Sequence, residues 1–325
     1  MIDNLARMAK GEGGSEIASV AGASPPSVIS GPAGAPPIPP RVPRVPEYGR
    51  SEPGEGEEIG SETDVFEGRP PWTTGDSFSW LFIAAVGFIA GQFLSLVILT
   101  IVAAANGHLS NLSALAAETV PPAWVVVGGL VGLWIGFVGA VVLASKKKGS
   151  GNVVADMGLR FRRWDPVIGV VIGVVGQFVL LPLLYLPWEH FDPKLSHELQ
   201  EPAKHLTGGF PGVDLAVIAV LTVLVVPVVE ELFFRGLVLQ GFVRLFRGAG
   251  RILGPVLAVT LTGIVFGAAH GELLELLGLA AFGIVLSVMA YRFKRLGPNI
   301  FAHATFNLVA ILVIAFPSGM IHWVR

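Results

Sequence analysis

The sequence has no cysteine among its 325 residues. It therefore contains no disulfide, no thiolate nucleophile, no Cys-ligated zinc and no attachment site for a prenyl or palmitoyl group, and the redox compartment stays open. Charge is also scarce. Asp, Glu, Lys and Arg make up 14% of the chain and hydrophobic residues 52%, against about 25% and about 45–50% in ordinary soluble domains. That balance argues against a soluble enzyme. The Lys and Arg residues punctuate apolar stretches instead of forming one patch, which sets nucleic-acid binding aside. No GxSxG elbow and no HExxH helix occurs, so the sequence signatures of serine hydrolases and zincins are missing.

What is present divides into two materials. Residues 1–76 hold 12 acids, 6 bases and half of the 24 prolines, whereas residues 77–325 hold 12 acids and 16 bases. Runs such as SPPSVISGPAGAPPIPPRVPRVP and SEPGEGEEIGSETD predict a disordered, partly polyproline arm, serving as a tether or a PxxP-type docking segment. The arm lacks the basic start, apolar core and small-residue cleavage site of a secretory signal peptide.

From Phe78 onward, apolar segments of about 20 residues recur, each long enough to cross a hydrocarbon core of roughly 30 Å as a helix. Seven are expected, at about 79–104, 123–144, 166–187, 213–235, 253–271, 273–291 and 297–317, with the fourth running on toward Phe246. The fold class is thus an all-α polytopic membrane protein with a disordered N-terminal arm, residues 77–325 forming the membrane domain. Basic residues follow the second, fourth and sixth spans (Lys146, Lys147, Lys148, Arg160, Arg162 and Arg163; Arg244, Arg247 and Arg251; Arg292, Lys294 and Arg295). The positive-inside rule then places the N-terminus in the cytoplasm, and the cell membrane is the expected location.

Ionisable residues within these spans are few: Glu230, Glu231, Arg235, His270 and His303, with Glu272 and Glu275 beside the connection after the fifth. A charged side chain near the bilayer centre costs about 2.5–3.5 kcal/mol even on lenient scales, so such residues face the bundle interior and mark function. On a helix Glu231 and Arg235 stand at i and i+4 in the favourable order for an ion pair, and Glu230 points about 100° away, free to hold a water or a proton. Pro227 just upstream removes a backbone hydrogen bond and opens room beside Glu230. Phe266 and His270 share a helix face, as do His303 and Asn307. A carboxylate with a neutral imidazole can deprotonate water, and a second His with an Asn amide can donate to a tetrahedral oxyanion.

Taken together, E230-E231-x-x-x-R235, F266-x-x-x-H270 and H303-x-x-x-N307 resemble the three-motif signature of the CPBP family, the CAAX prenyl proteases and bacteriocin-processing enzymes also called Abi or type II CAAX endopeptidase-like proteins. The resemblance spans Glu230 to Asn307. It implies an intramembrane endopeptidase in which Glu230 and His270 activate water, His303 and Asn307 form the oxyanion site, and Glu231, Arg235 and Phe266 support the site. It further implies a metal-independent glutamate protease, with zinc as the alternative, acting on a peptide or protein substrate, lipidated or not, in the lipid bilayer. Two rivals accompany it: a non-catalytic scaffold or bacteriocin-immunity member, and a proton-coupled transporter in which Glu230, His270 and His303 relay protons.

One difficulty follows from the span boundaries. They put His270 near the outer end of the fifth helix and His303 near the inner end of the seventh, about 13 positions or some 20 Å apart in depth. Either the fourth helix reaches about residue 247 and the fifth begins deep, or one segment does not fully cross. Among lesser features, MGLRFRRWD at 157–165 reads as an interfacial anchor. The connection 188–212, with His190, His197 and His205, is a weak metal-site candidate, no tight ligand spacing being present. Glycines of the first three spans (Gly87, Gly91, Gly128, Gly129, Gly132, Gly136, Gly139, Gly169, Gly173 and Gly176) read as small-residue packing positions.

Overall fold

A backbone polar group has no water to bond with in lipid, so apolar runs of this length satisfy their N–H and C=O groups by coiling into helices. The computed structural model describes residues 74–116, 118, 121–192, 194, 198–199 and 212–315, which form helices and turns with no strand among them. The seven principal helices are α1 (Thr74–Ala105), α2 (Ala123–Lys148), α3 (Asp165–Glu189), α4 (Val213–Leu245), α5 (Leu253–Ala269), α6 (Leu276–Phe293) and α7 (Gly297–Ala315). Five of them, α1 to α4 and α6, are long and apolar enough to cross a membrane, while α5 and α7 are shorter apolar helices. Large apolar side chains such as Phe82, Ile89 and Phe93 on α1 and Leu183 and Leu186 on α3 lie more than half exposed, as lipid-facing positions do. Most of the N-terminal arm, His197, His205 and the end of the seventh expected span lie outside the described residues.

Three close helix pairs surround α4: α1 with α2, α3 with α7, and α5 with α6. Glycine makes the closest approaches possible. A Cβ at Gly136 would collide with the backbone of Gly87 and Gly91, and one at Gly173 with Ala302 and Thr305. A Cβ at Gly139 would meet open space, so the packing role expected of it is not its own, whereas Gly129 also has room for a Cβ but accepts from Ser95 Oγ of α1 at 2.6 Å through its carbonyl. Helix α4 packs against α1, α2, α5, α6 and α7 and is the axis of the bundle. Its path is uneven, with two π-helical stretches, Leu221–Val225 and Glu231–Val238, separated by one α-helical turn that contains Pro227. Such insertions widen a helix locally and rotate the side chains beyond them, and they concentrate at functional sites.

The basic end of the bundle is a built floor. Asp156, 2% exposed, accepts from Ser145 Oγ at 2.6 Å and from Ser150 Oγ at 2.8 Å, closing the turn after α2. Gln240 of α4 donates to the Asp156 carbonyl at 3.2 Å, and Met157 seats against Gly236. The carbonyls of Gly158 and Arg160 accept from Leu296 and Gly297, and Arg295 pairs with Asp165 at 2.6 Å. These bonds hold the α6–α7 turn deep inside the molecule. Leu296 and Ile300 share a core cluster with Leu239, Val243, Ala258 and Val259 of α4 and α5. Helix α7 therefore starts recessed, and His303 stands level with the second half of α5. The 20 Å separation between His270 and His303 expected from equal starting depths is accordingly wrong.

Candidate active site

Glu231 is the hub of a buried polar cluster. Its carboxylate accepts from Arg235 Nη1 at 2.7 Å, from His303 Nδ1 at 3.1 Å and from Asn299 Nδ2 at 3.2 Å. Glu231, Arg235 and Asn299 are fully buried, and His303 is 3% exposed. Arg235 also donates through Nη2 to the Gly283 carbonyl at 3.0 Å, and its Cζ lies 4.4 Å from the Phe266 ring centroid. A guanidinium held between a carboxylate, a carbonyl and an aromatic face is committed to structural work through both of its Nη atoms. Asn299 Nδ2 donates as well to the Leu286 carbonyl at 2.6 Å, tying α7 to α6. Asn299 was not singled out in the sequence. The signal available was its place four residues before His303, on the same helix face.

Because the carboxylate of Glu231 accepts, a hydrogen of His303 sits on Nδ1, and Nε2 is the ring nitrogen turned outward. That Nε2 lies 3.8 Å from Glu230 Oε2. Glu230 is 8% exposed, and its Oε2 has no hydrogen-bond partner among the described residues. The two adjacent glutamates thus differ in kind: one is saturated by donors, and the other ends in a buried oxygen available to a water or a substrate.

His270, which ends α5, is oriented from its own helix. Its Nδ1 lies 2.8 Å from the Phe266 carbonyl. A carbonyl only accepts, so the hydrogen is on Nδ1 and Nε2 is the basic nitrogen. The Phe266 ring stands between the two imidazoles, edge-on to both, with centroid distances of 4.8 Å to His270 and 5.6 Å to His303. Phe266, Phe234, Phe233 and Phe137 continue this aromatic contact into the core between α2, α4 and α5.

Asn307 lies one turn beyond His303 on α7, partly buried. Its Nδ2 donates to the Thr222 carbonyl of α4 at 2.9 Å, so the amide contacts the upper π-helical stretch and not Glu231. Glu272 is exposed beyond the end of α5, and Glu275 is half-buried before α6. Burial and the nearby Glu272 push the Glu275 carboxyl up to about 7. Among the described residues no three His, Asp or Glu side chains converge in a cluster suited to a metal ion.

This arrangement offers an unpartnered carboxylate oxygen, two imidazoles with free Nε2 atoms and one amide donor, all on apolar helices. Residues 212–309, from the start of α4 well into α7, match the family model described as Type II CAAX prenyl endopeptidase Rce1-like. The match covers every residue of the three sequence motifs, and the family is one of membrane proteases. No curated protein and no solved structure matches the chain.

Proposed function

We propose, with residues 212–309 carrying a domain of the Rce1-like type II CAAX prenyl endopeptidase family, that the chain is an intramembrane endopeptidase hydrolysing a peptide bond of a membrane-associated peptide or protein. The observation that carries this reading is the buried Glu230 Oε2, which lacks a protein donor and faces His303 Nε2 at 3.8 Å. A carboxylate oxygen left without a partner in an apolar interior is costly, and it persists where a reacting group occupies it.

The reaction then runs as follows. Glu230 Oε2 takes a proton from a water whose other hydrogen is held by His270 Nε2, and the water's oxygen attacks the scissile carbonyl carbon. The oxyanion formed accepts from His303 Nε2 and from the second Nδ2 hydrogen of Asn307. Donation from His303 Nε2 requires the imidazolium, because Nδ1 already gives its hydrogen to Glu231. The proton removed from water supplies that state by way of the neighbouring Glu230 Oε2, and the Glu231 carboxylate stabilises it. Collapse of the tetrahedral intermediate breaks the C–N bond, and the same proton leaves on the amine product. Glu231, Arg235 and Phe266 fix the geometry without touching the substrate. No step needs a metal. The Lys- and Arg-rich end of the bundle faces the cytoplasm on this reading, with the N-terminus on that side, and the family description makes a prenylated C-terminal peptide the first substrate class to test.

The test is mass spectrometry of membrane-associated peptides and proteins from cells producing the parent or Glu230→Ala. Termini that appear only with the parent support the protease and identify its substrates. Indistinguishable termini at equal protein abundance overturn it in favour of a non-catalytic scaffold.

A further inference from the structure

We infer that Pro227 is a positioning residue of this site: by withholding a backbone N–H from the Thr222 carbonyl, it makes that carbonyl the acceptor that locks the Asn307 amide. The cause lies in the backbone of α4. Across Leu221–Val225 the helix runs in π register, and Val226 N–H donates to the Leu221 carbonyl five residues back. The next donor in that register, to Thr222, is residue 227. Proline has no N–H to give. An α-helical return at residue 227 leaves Thr222 no better served, since it would address Val223 instead.

Within an apolar bundle the abandoned carbonyl has no bulk water to turn to, and leaving it unpaired costs more than an ordinary hydrogen bond returns. Asn307 Nδ2 meets it at 2.9 Å from the neighbouring helix α7. The bond fixes both torsions of a short side chain. It points Nδ2 toward α4, the helix that carries Glu230 eight residues, about two turns, beyond Thr222, from a position on α7 one turn from His303. One Nδ2 hydrogen is spent on Thr222. The other, now directionally fixed, is the one the proposed reaction assigns to the oxyanion. Pro227 therefore does more than bend α4. It creates the socket that holds a donor on another helix, 80 residues away in sequence.

This inference deepens the protease reading and rests on it for its catalytic consequence, whereas the hydrogen bond can be tested separately. The decisive variant is Pro227→Ala, which restores an N–H that can reclaim the Thr222 carbonyl and carries little folding risk, since it removes a proline from a helix. With a farnesylated, internally quenched CAAX-type peptide as probe, we expect kcat to fall by about 10- to 100-fold, the usual consequence of misplacing a donor by about 1 Å, with KM nearly unchanged. The melting temperature in detergent should hold or rise. A simple loss of fold would instead lower both melting temperature and kcat, and an unaltered kcat would also overturn the assignment.

The second arm needs no catalysis. Asn307→Ala should lower the melting temperature of the parent by about 2–4 °C and leave that of Pro227→Ala nearly unchanged, because Thr222 is then satisfied without Asn307. Equal penalties in both backgrounds would refute the coupling. Should the parent and Glu230→Ala cleave the probe equally poorly, the protease reading fails for that substrate, and the melting cycle still decides whether Pro227 and Asn307 act on one carbonyl.

Discussion

His303 donates its Nδ1 hydrogen to Glu231 across 3.1 Å. The bond places a hydrogen on Nδ1 and orients the ring, and so Nε2 is the nitrogen that faces Glu230. Adjacent glutamates on one helix thereby acquire different duties through their neighbours alone. Glu231 is surrounded by donors and serves as an anchor, while Glu230 has an oxygen to spare.

The first prediction concerns that anchor. Glu231 and Arg235 form a fully buried pair at 2.7 Å, and removing one partner of such a pair leaves an uncompensated charge, at about 3–5 kcal/mol. Glu231→Gln should therefore melt well below the parent and accumulate poorly. The double variant Glu231→Gln/Arg235→Met should recover much of the loss, since the two changes are coupled. Melting temperatures of the four proteins in one detergent test this, and strictly additive penalties would contradict it.

Asn299 supplies the second. Its Nδ2 serves both Glu231 Oε2 and the Leu286 carbonyl, so Asn299→Ala orphans buried acceptors at about 1–3 kcal/mol. Asn299→Asp is closer in size yet should be worse, because it sets a second carboxylate against Glu231. The order parent, Ala, Asp in both melting temperature and kcat is the expected outcome. An Asp variant more active than the Ala variant would remove Asn299 from the anchoring role.

How far the sequence discloses this site depends on what each residue reports locally. Long apolar runs report helices because lipid allows few alternatives, and an i, i+4 Glu–Arg pair within such a run reports its own ion pair. The Rce1-like match falls on the segment where the three motifs lie. Depth was not readable. It depends on the recessed start of α7, fixed by bonds from Gly158 and Arg160 to Leu296 and Gly297, which join segments more than 130 residues apart. Nor was the register of α4 readable, since an α-helix and a π-helix share one hydrophobic pattern over a few residues. Asn299 was hidden for the same reason: GPN before an apolar run looks like a turn, and only the recessed turn buries it.

Metal dependence gives a third prediction. The oxygens of Glu231 are engaged by Arg235, His303 and Asn299, and the proposed base is the Glu230–His270 pair. Cleavage should then survive EDTA or 1,10-phenanthroline within about twofold, the scatter of ordinary additive effects. Activity lost on chelation and restored by added zinc would replace this mechanism with a metal-assisted one.

The fourth concerns pH at the turn between α5 and α6. Tyr185 of α3 pins that turn, its hydroxyl donating to the Leu274 carbonyl at 2.8 Å and accepting from Gly278 N–H at 2.9 Å. Glu275 sits between these two anchored residues, half-buried, with its carboxyl raised from 4.5 to about 7 by burial and by Glu272. A carboxyl raised on folding holds its proton more tightly in the folded state. Its contribution is fully present below pH 4.5 and is lost as pH rises through about 7. With solvent reaching part of the group, the loss should be about 1 kcal/mol, and not the larger figure the full shift would imply. Amide exchange at Leu274 to Gly278, corrected for its intrinsic pH dependence, should therefore lose protection between pH 5.5 and 8 in the parent, whereas Glu275→Gln should hold its protection across that range. The same loss in both proteins would show that another group governs the turn.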